Sequence, residues 1–527
     1  MINDKDGNHY IGIDVGTGSA RAFVIDHKGN IVGLASQDIK TWQPHPEYYE
    51  QSTVNIWDSI CAAVKQAVQQ CGVPSSNIRG LAFDATCSLA VFSKDTDDPV
   101  SVSGSELSDD RNVILWLDHR AVDETKTINA TGHPVLQYIG GGMSPEMEMP
   151  KILWLKKHMN PGKFHDCKFY DLADALTHLA TGKETRSYCS VVCKQGYLAT
   201  GIDCGEEGWQ LDFLISTGLE DLATDDFVRL GGINGKKGQY LSAGECVGPL
   251  GEKAAADLGL SPGIAVGRGV IDAYAGWIGT VGAKVDLGLD SSADQKEHLS
   301  HRLAVVAGTS TCHLAMSNDE LFVPRIWGPY RDVLFPVAYL AEGGQSATGE
   351  LIRHIVESHP AYSEQRRQRR RPASIFTTSL TTTFAKKPSK PRVYRTATRQ
   401  IVDTMNEHGH QISTIFMSGS QTQNDLLVHL IASVCRVPVV LPEYVHAAVC
   451  HGAAMLAAMA ASGGPGPKSK DLWGIMGQMS KPGRRVDTTT NTHEQGLLEA
   501  KYEVFLDMCF KQREYRELVD KRLNTAE

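Results

Sequence analysis

The sequence predicts an α/β protein of two domains, each a mixed sheet flanked by helices, with a cleft between them. Three observations lead there. At 527 residues the chain exceeds what a single hydrophobic core organises. Short apolar runs alternate with stretches of helical spacing along its length. A strand, a Gly/Thr/Ser turn and a second strand occur at Tyr10 to Arg21 and again at Leu303 to Met316.

The first of these, YIGIDVGTGSAR, delivers Asp14 at the end of an apolar strand to a turn of Gly16, Thr17, Gly18 and Ser19. A helix-opening glycine loop would continue as helix. Here Ala20 to Asp26 continues as a strand, so the glycines close a hairpin. Positive φ in such a turn would aim several backbone N–H groups at one anion, and Thr17 and Ser19 add hydroxyl donors. Asp14 would face that anion only with a metal ion between them. On its own the stretch reads equally well as a plain hairpin.

Ile31 to Ser36 then adds a third strand, and Asn55 to Cys71 a helix whose Ile56, Ile60, Ala63, Val64 and Ala67 share one face before Gly72 ends it. Ile78 to Phe83 is a strand presenting Asp84. The acidic, Ser-rich Asp95 to Asp110 reads as a loop. Val113 to Leu117 reads as a strand carrying Trp116, and a helix follows through Asn129. Gly140 to Pro150 fits a loop over a pocket, and Phe169 to Thr181 a helix opened by Asp171 and closed by Gly182. Gly231 to Gly269 is turn-rich, with one helical piece at Glu252 to Leu258. A joint near its end gives domains 1–270 and 271–527.

In the second half, Asp272 to Val281 carries Ala273, Ala275, Gly276 and Gly279, small enough for a helix to lie close on a neighbour. The second turn, Ala307 to Thr311, follows. Two such turns facing each other would set a nucleotide in the cleft. Ile415 to Met417 opens onto Ser418, Gly419, Ser420 and Gln421, where a glycine would let backbone lie against a flat base. Helices are expected over Thr422 to Cys435, Ala447 to Ala461 and Glu494 to Leu523, the last with many i, i+4 charge pairs that read as a solvated face. Gln365 to Arg399, with RRQRRRP and KKPSKP, reads as low-complexity, basic and disordered.

Composition narrows the function classes. A net charge of −9 argues against nucleic acid as the main partner and makes an anionic ligand depend on a local positive field. MINDKDGNHY is polar, so no signal peptide opens the chain, and no apolar run has membrane-span length. An intracellular, cytoplasmic location is expected. The twelve cysteines lack paired CxxC units, which points to buried thiols and away from a metal cluster or a structural disulfide. No GxxxxGK[ST] occurs, against P-loop chemistry, and the glycines lead into strand, against a dinucleotide-binding βαβ unit.

YIGIDVGTGSARAFVID, GLAFDATCSLAVF, RNVILWLDHRAVDET, QYIGGGMSPEMEMPKILWLK, GVIDAYAG, RLAVVAGTSTCH, WGPY and EGGQSATG, in this order, resemble the FGGY carbohydrate kinases of the sugar kinase, actin and Hsp70 superfamily, nearest to the ribulokinase-like pentulose kinases. The resemblance implies two actin-like (ribonuclease H-like) domains, each with a mixed five-stranded sheet. It implies ATP-dependent phosphorylation of a ketopentose, D-ribulose to D-ribulose 5-phosphate, with L-ribulose and xylulose as other candidates. ATP and Mg2+ would be the cofactors, the sugar and ATP the partners, with no nucleic acid and no membrane; a homodimer is compatible.

Carried over residue by residue, the resemblance gives Gly16, Thr17, Gly18, Ser19 and Arg21 to the first phosphate turn and Gly308, Thr309, Ser310 and Thr311 to the second. Gly419, Ser420 and Asn424 fall on the adenosine side. Asp14 would orient magnesium through water, and Asp272 would be the catalytic base, close to the sugar hydroxyl it deprotonates. Asp84, Cys87, Lys194 and Glu342 would line the sugar. Trp116, Asp118 and Arg120 are signature residues that serve as well to pin a strand to a helix, and His119 and His313 are expected to be structural. One departure stands out. The Asp-His-Gly-Asn-Arg-Ser-Pro type segment that the family carries before the strand at Ile415 is absent, and the basic stretch lies in its place. A catalytically impaired sugar- and nucleotide-binding relative is therefore the alternative.

Overall fold

The structure, a computed structural model, describes residues 7–103, 110–202, 205, 207–285, 299–308, 310–346, 348–358, 362, 393–463 and 470–524. Two sheets organise it. The first contains β1 (His9–Val15), β2 (Ser19–Asp26), β3 (Ile31–Asp38), β4 (Ile78–Ala85) and β5 (Ala265–Ile271) in the order β3-β2-β1-β4-β5. β1, β2 and β3 form an antiparallel meander, while β4 and β5 join in parallel. The second sheet repeats this plan with β6 (Arg302–Ala307), β7 (Thr311–Ser317), β8 (Tyr339–Gln345), β9 (Thr414–Ser418) and β10 (Val439–Leu441). Each five-strand core is then extended at its edges. Cys246–Pro249 makes the first sheet six-stranded, and Trp327–Arg331 and Arg484–Val486 make the second seven-stranded. Five strands per sheet is thus an undercount, because these edge strands are short and carry Gly, Pro or Arg in place of an apolar run.

Helices join the two sheets. α1 (Thr53–Cys71) buries Ile56, Ile60, Ala63, Val64 and Ala67, with Ser52 capping its start and Gly72 ending it at φ 62°. The small residues of the second half explain the rest. α4 (Asp272–Val281) crosses α7 (Ala448–Ser462) so closely that a Cβ on Gly279 would lie 1.9 Å from the Ala448 carbonyl oxygen, and one on Gly452 1.9 Å from that of Ala275. α7 also lies on the first sheet in a groove floored by Gly12, Gly80 and Gly267. A Cβ on these would come within 2.2, 2.1 and 2.8 Å of the helix carbonyls of Cys450, Ala457 and Leu456. A helix from the second half of the sequence thereby completes the core of the first sheet.

Three expectations about elements change. Phe169 and Tyr170 belong to a strand, Cys167–Asp171, that pairs with Leu89–Ser93, and α2 (Leu172–Thr181) begins only after the Asp171 cap. Both residues are buried, so the two-sided apolar run carries no period to separate strand from helix. The strand expected over Val113 to Leu117 stops at Ile114, since Asp118 N bonds Leu115 O at 3.1 Å and folds a turn around Trp116. Of the stretch expected to be disordered, residues 365–392 lie outside the described residues, but α5 (Val393–Glu407) starts inside it. Arg399 there grips Glu499 of α8 (Thr492–Asn524) through two 2.8 Å bonds and stacks 3.9 Å over Tyr502. Part of the charge on α8 therefore binds a neighbouring helix instead of facing solvent.

No helix among the described residues is long and apolar enough to cross a membrane. Each described cysteine is a free thiol.

Candidate active site

Each meander opens on one of the two turns, and Asp272 at the head of α4 lies near enough to Asp14 and Arg21 of the first meander to feel their charges. In the first, Gly16 N donates to Ser19 O at 3.0 Å; in the second, Gly308 N donates to Ser310 O at 2.8 Å. None of Gly16, Gly18 and Gly308 takes a positive φ, so the expected left-handed turn is not what calls for glycine here. Space is. A Cβ on Gly18 would meet nothing within 4 Å, and one on Gly308 only Ser310 O at 3.9 Å, which leaves the backbone open to a ligand. The first turn is braced from outside, because Trp116 Nε1 donates to Thr17 Oγ1 at 3.1 Å and Gln51 Nε2 to Thr17 O at 2.8 Å. Gln421 braces the second by donating to Gly308 O at 3.0 Å. Thr311 Oγ1 is buried there without a partner, and Thr309 lies outside the described residues.

Carboxyl groups gather beneath the first turn. Asp14, fully buried, is paired with Arg21, and Cys450 Sγ lies 3.5 Å from its Oδ2. Asp84 is its register partner across the parallel β1–β4 pair. Asp272 opens α4, its Oδ1 accepting the Ala273 N–H at 2.7 Å. Burial, then the negative charge of Asp14, pushes Asp272 up to about 7, the range in which a carboxylate is basic enough to take a hydroxyl proton.

A hydrated magnesium ion fits this set. Asp14 Oδ1 and both oxygens of Asp84 are buried and find no donor in the backbone or in other side chains, although the two carboxyl groups lie within hydrogen-bonding reach of each other. Three carboxyl groups share one guanidinium, and burial, joined at Asp84 and Asp272 by the negative charge of neighbouring carboxylates, raises the pKa of each, so a cation arriving there would favour their ionised forms. The tightest group of potential ligands among the described residues lies elsewhere, at Asp97, His178 and Glu184. There Lys168 Nζ already sits 2.7 Å from Asp97 and 2.8 Å from Glu184, so an ammonium fills the centre. Burial opposes ionisation of Glu184, but Arg186, Lys168 and His178 together hold its carboxyl down to about 2. A depressed native pKa stabilises above the unfolded value of about 4.3 and loses that contribution as pH falls toward 2. Acid unfolding of Glu184→Gln, followed by circular dichroism, is therefore expected to show a smaller loss of Tm between pH 5 and 3 than the parent chain.

The sugar-side residues form a second cluster. Lys194, at the end of α3 (Tyr188–Lys194), reaches across to Glu342 on β8 at 3.3 Å, both side chains buried. Glu342 raises the Lys194 pKa well above its ordinary value against the effect of burial. Tyr274 OH donates to Glu342 Oε2 at 2.9 Å, and the Lys194 ammonium lies 4.6 Å over the Trp327 ring. Cys87 borders this group, with burial pushing its thiol up. Tyr274 and Trp327 are residues that sequence reasoning missed, though both sit in the strings GVIDAYAG and WGPY, and Tyr274 is two places after Asp272.

The remaining candidates have structural partners. Arg120 is buried between Asp118 and Glu50, and Tyr49 N donates to Asp118 at 2.6 Å, a pin between strand and helix. His313 is buried with Nε2 3.1 Å from Thr398 Oγ1, and burial lowers it to about 4. Gly419 has φ 98°, and a Cβ there would lie 2.1 Å from the Ala307 carbonyl oxygen. Its glycine thus serves the close approach of β9 to the end of β6, next to Gly308. Asn424 Oδ1 accepts from Leu427 N at 3.1 Å and caps α6 (Asp425–Cys435).

Residues 9–193 match the N-terminal domain of the FGGY family of carbohydrate kinases, and residues 303–394 and 395–461 match its C-terminal domain. A D-ribulokinase of Saccharomyces cerevisiae is 42% identical over 517 residues, covering 87% of this chain and 72% of its own. A human FGGY carbohydrate kinase domain-containing protein is 37% identical over 565 residues, covering 97% of this chain and 98% of its own. Those 565 positions exceed the 527 residues available here, so the human relative carries segments that this chain lacks. In fold, the xylulose kinase of Rhodospirillum rubrum superposes with a TM-score of 0.71 at 17% identity, covering 96% of this chain and 99% of that one.

Proposed function

The chain belongs to the FGGY family of carbohydrate kinases, ATP-dependent enzymes, and from that premise we propose that it phosphorylates D-ribulose on its terminal hydroxyl to give D-ribulose 5-phosphate. The observation that carries the chemistry is Asp272: a carboxyl with a pKa of about 7, at the head of α4 and under the charges of Asp14 and Arg21 from the first meander. The name of the relative at 42% identity supports the choice of D-ribulose.

In this reading Asp272 takes the hydroxyl proton as the sugar oxygen attacks the γ-phosphorus and the bond to the bridging oxygen breaks, releasing ADP. Magnesium, when bound, supplies charge neutralisation along the phosphates. The open backbone at Gly18 and Gly308 lets the two turns approach phosphate oxygens, and Thr17 is held in place by Trp116. Lys194 and Glu342 come from opposite sides of the cleft and offer a donor and an acceptor to sugar hydroxyls, with Glu342 oriented by Tyr274. Closure over the substrates keeps water from the γ-phosphorus.

The test is ADP release in a coupled assay with D-ribulose, L-ribulose and D-xylulose offered separately. Release stimulated most by D-ribulose is the expected result. Nucleotide binding without sugar-stimulated release would favour the impaired relative, a reading motivated by the segments this chain lacks. In the same assay Lys194→Ala is expected to raise the KM for the sugar at least tenfold with a smaller effect on the KM for ATP, because it strips a buried partner from Glu342 on the sugar side.

A further inference from the structure

We infer that Asp84 acts with Asp14 on the water shell of the divalent cation, and not on the sugar. The inference rests on the kinase reading for the identity of the metal-bearing ligand, but its observations are independent of the sugar. Asp84, one residue before the end of β4, lies directly beside Asp14 on β1, and the two strands run parallel, so their side chains at this register project to the same face. Both Asp84 oxygens and Asp14 Oδ1 are fully buried and find no donor outside this carboxyl pair, which leaves them free to accept from the waters of a cation. The phosphate turn lies immediately above, since a Cβ on Gly16 would sit 4.0 Å from Asp14 Oδ1.

The charges that act on Asp84 separate it from the sugar cluster. Burial, then the negative charges of Asp14 and Asp272, push its carboxyl well up, against the pull of the Arg21 guanidinium. The strongest neighbours of Lys194 are Glu342, Cys87, Tyr330 and Cys193. Asp84 and Cys87 are three residues apart and both feel Asp272, but Lys194 is the leading charge on Cys87 and is not among the leading charges on Asp84. The guanidinium of Arg21 is already engaged by Asp14 and leaves Asp84 without a cation of its own. The oxygens of Asp14, Asp84 and Asp272 are not close enough together to grip a bare ion. A hydrated ion would be held by these carboxylates through its waters, which suits magnesium because it gives up water reluctantly.

Manganese(II) serves as the probe. Electron paramagnetic resonance of free Mn(II), titrated with ADP and the full-length chain, measures ternary binding without turnover. Asp84→Asn is expected to weaken Mn(II)–ADP binding at least tenfold, to leave D-ribulose binding by tryptophan fluorescence within twofold, and to raise the Tm of the ligand-free protein by relieving carboxyl repulsion. Asp84→Ser is the second variant should the amide disturb folding. Unchanged Mn(II)–ADP binding together with lost D-ribulose binding overturns the inference. So does a variant with lowered Tm and equal loss of both ligands, which marks a purely structural role. A parent chain that binds Mn(II)–ADP but phosphorylates no sugar overturns the kinase reading alone, while the variant's loss of manganese still supports Asp84.

Discussion

Asp272→Ala is expected to lower kcat with D-ribulose by at least about 100-fold, the usual contribution of a positioned general base, while nucleotide and sugar still bind. The expectation follows from where the carboxyl sits. It opens α4, where the Ala273 N–H fixes one oxygen at 2.7 Å, and burial together with Asp14 brings its pKa to about 7. Asp272→Asn keeps the shape and an oxygen for the Ala273 N–H but cannot take a proton, and its kcat is expected to fall as far. Isothermal titration with a non-hydrolysable ATP analogue and with sugar separates loss of catalysis from loss of binding. A variant retaining a tenth or more of the parent kcat would remove Asp272 from the role of base.

The second large effect concerns the helix crossing that joins the two halves. Gly279 and Gly452 face each other's helices so closely that either Cβ would fall 1.9 Å from a backbone carbonyl oxygen. No side-chain rotation relieves such a contact, because both atoms belong to rigid backbone. Gly452→Val is therefore expected to cost about 3 kcal/mol or more, the upper end for overpacking, and to lower Tm by roughly 3–6 °C. Activity should fall with it, since α4 carries Asp272 and α7 carries Cys450 against Asp14. Differential scanning calorimetry reads the first effect and the coupled assay the second. Gly474→Val, on a helix position where a Cβ would meet nothing within 4 Å, is the control for glycine replacement as such.

What the sequence revealed of the site was local. The two Gly/Thr/Ser turns, Asp14 at a strand end and Asp272 at a helix start each announce themselves within a few residues, and the turns fall at equivalent places in the two sheets. Lys194 and Glu342 were legible only through the family resemblance, because the contact that gives them meaning spans the cleft and leaves no pattern in either segment. The same holds for Tyr274 and Trp327. The glycine groove on the first sheet was hidden for a related reason: Gly12, Gly80 and Gly267 are far apart in sequence and share a surface only after β1, β4 and β5 align. Arg399 belongs to a stretch read as low-complexity and basic, and only the arrival of α8 with Glu499 and Tyr502 turns that charge into a contact. The short edge strands escaped notice because pairing, and not composition, makes them strands.

The account stands most directly on the product. Incubation of the full-length chain with ATP, Mg2+ and D-ribulose, followed by phosphorus and carbon nuclear magnetic resonance of the quenched mixture, identifies which oxygen receives the phosphoryl group. The expected result is D-ribulose 5-phosphate in step with ADP, and none from Asp272→Ala. ADP and inorganic phosphate without a sugar phosphate, or no turnover despite bound ATP and sugar, would contradict it.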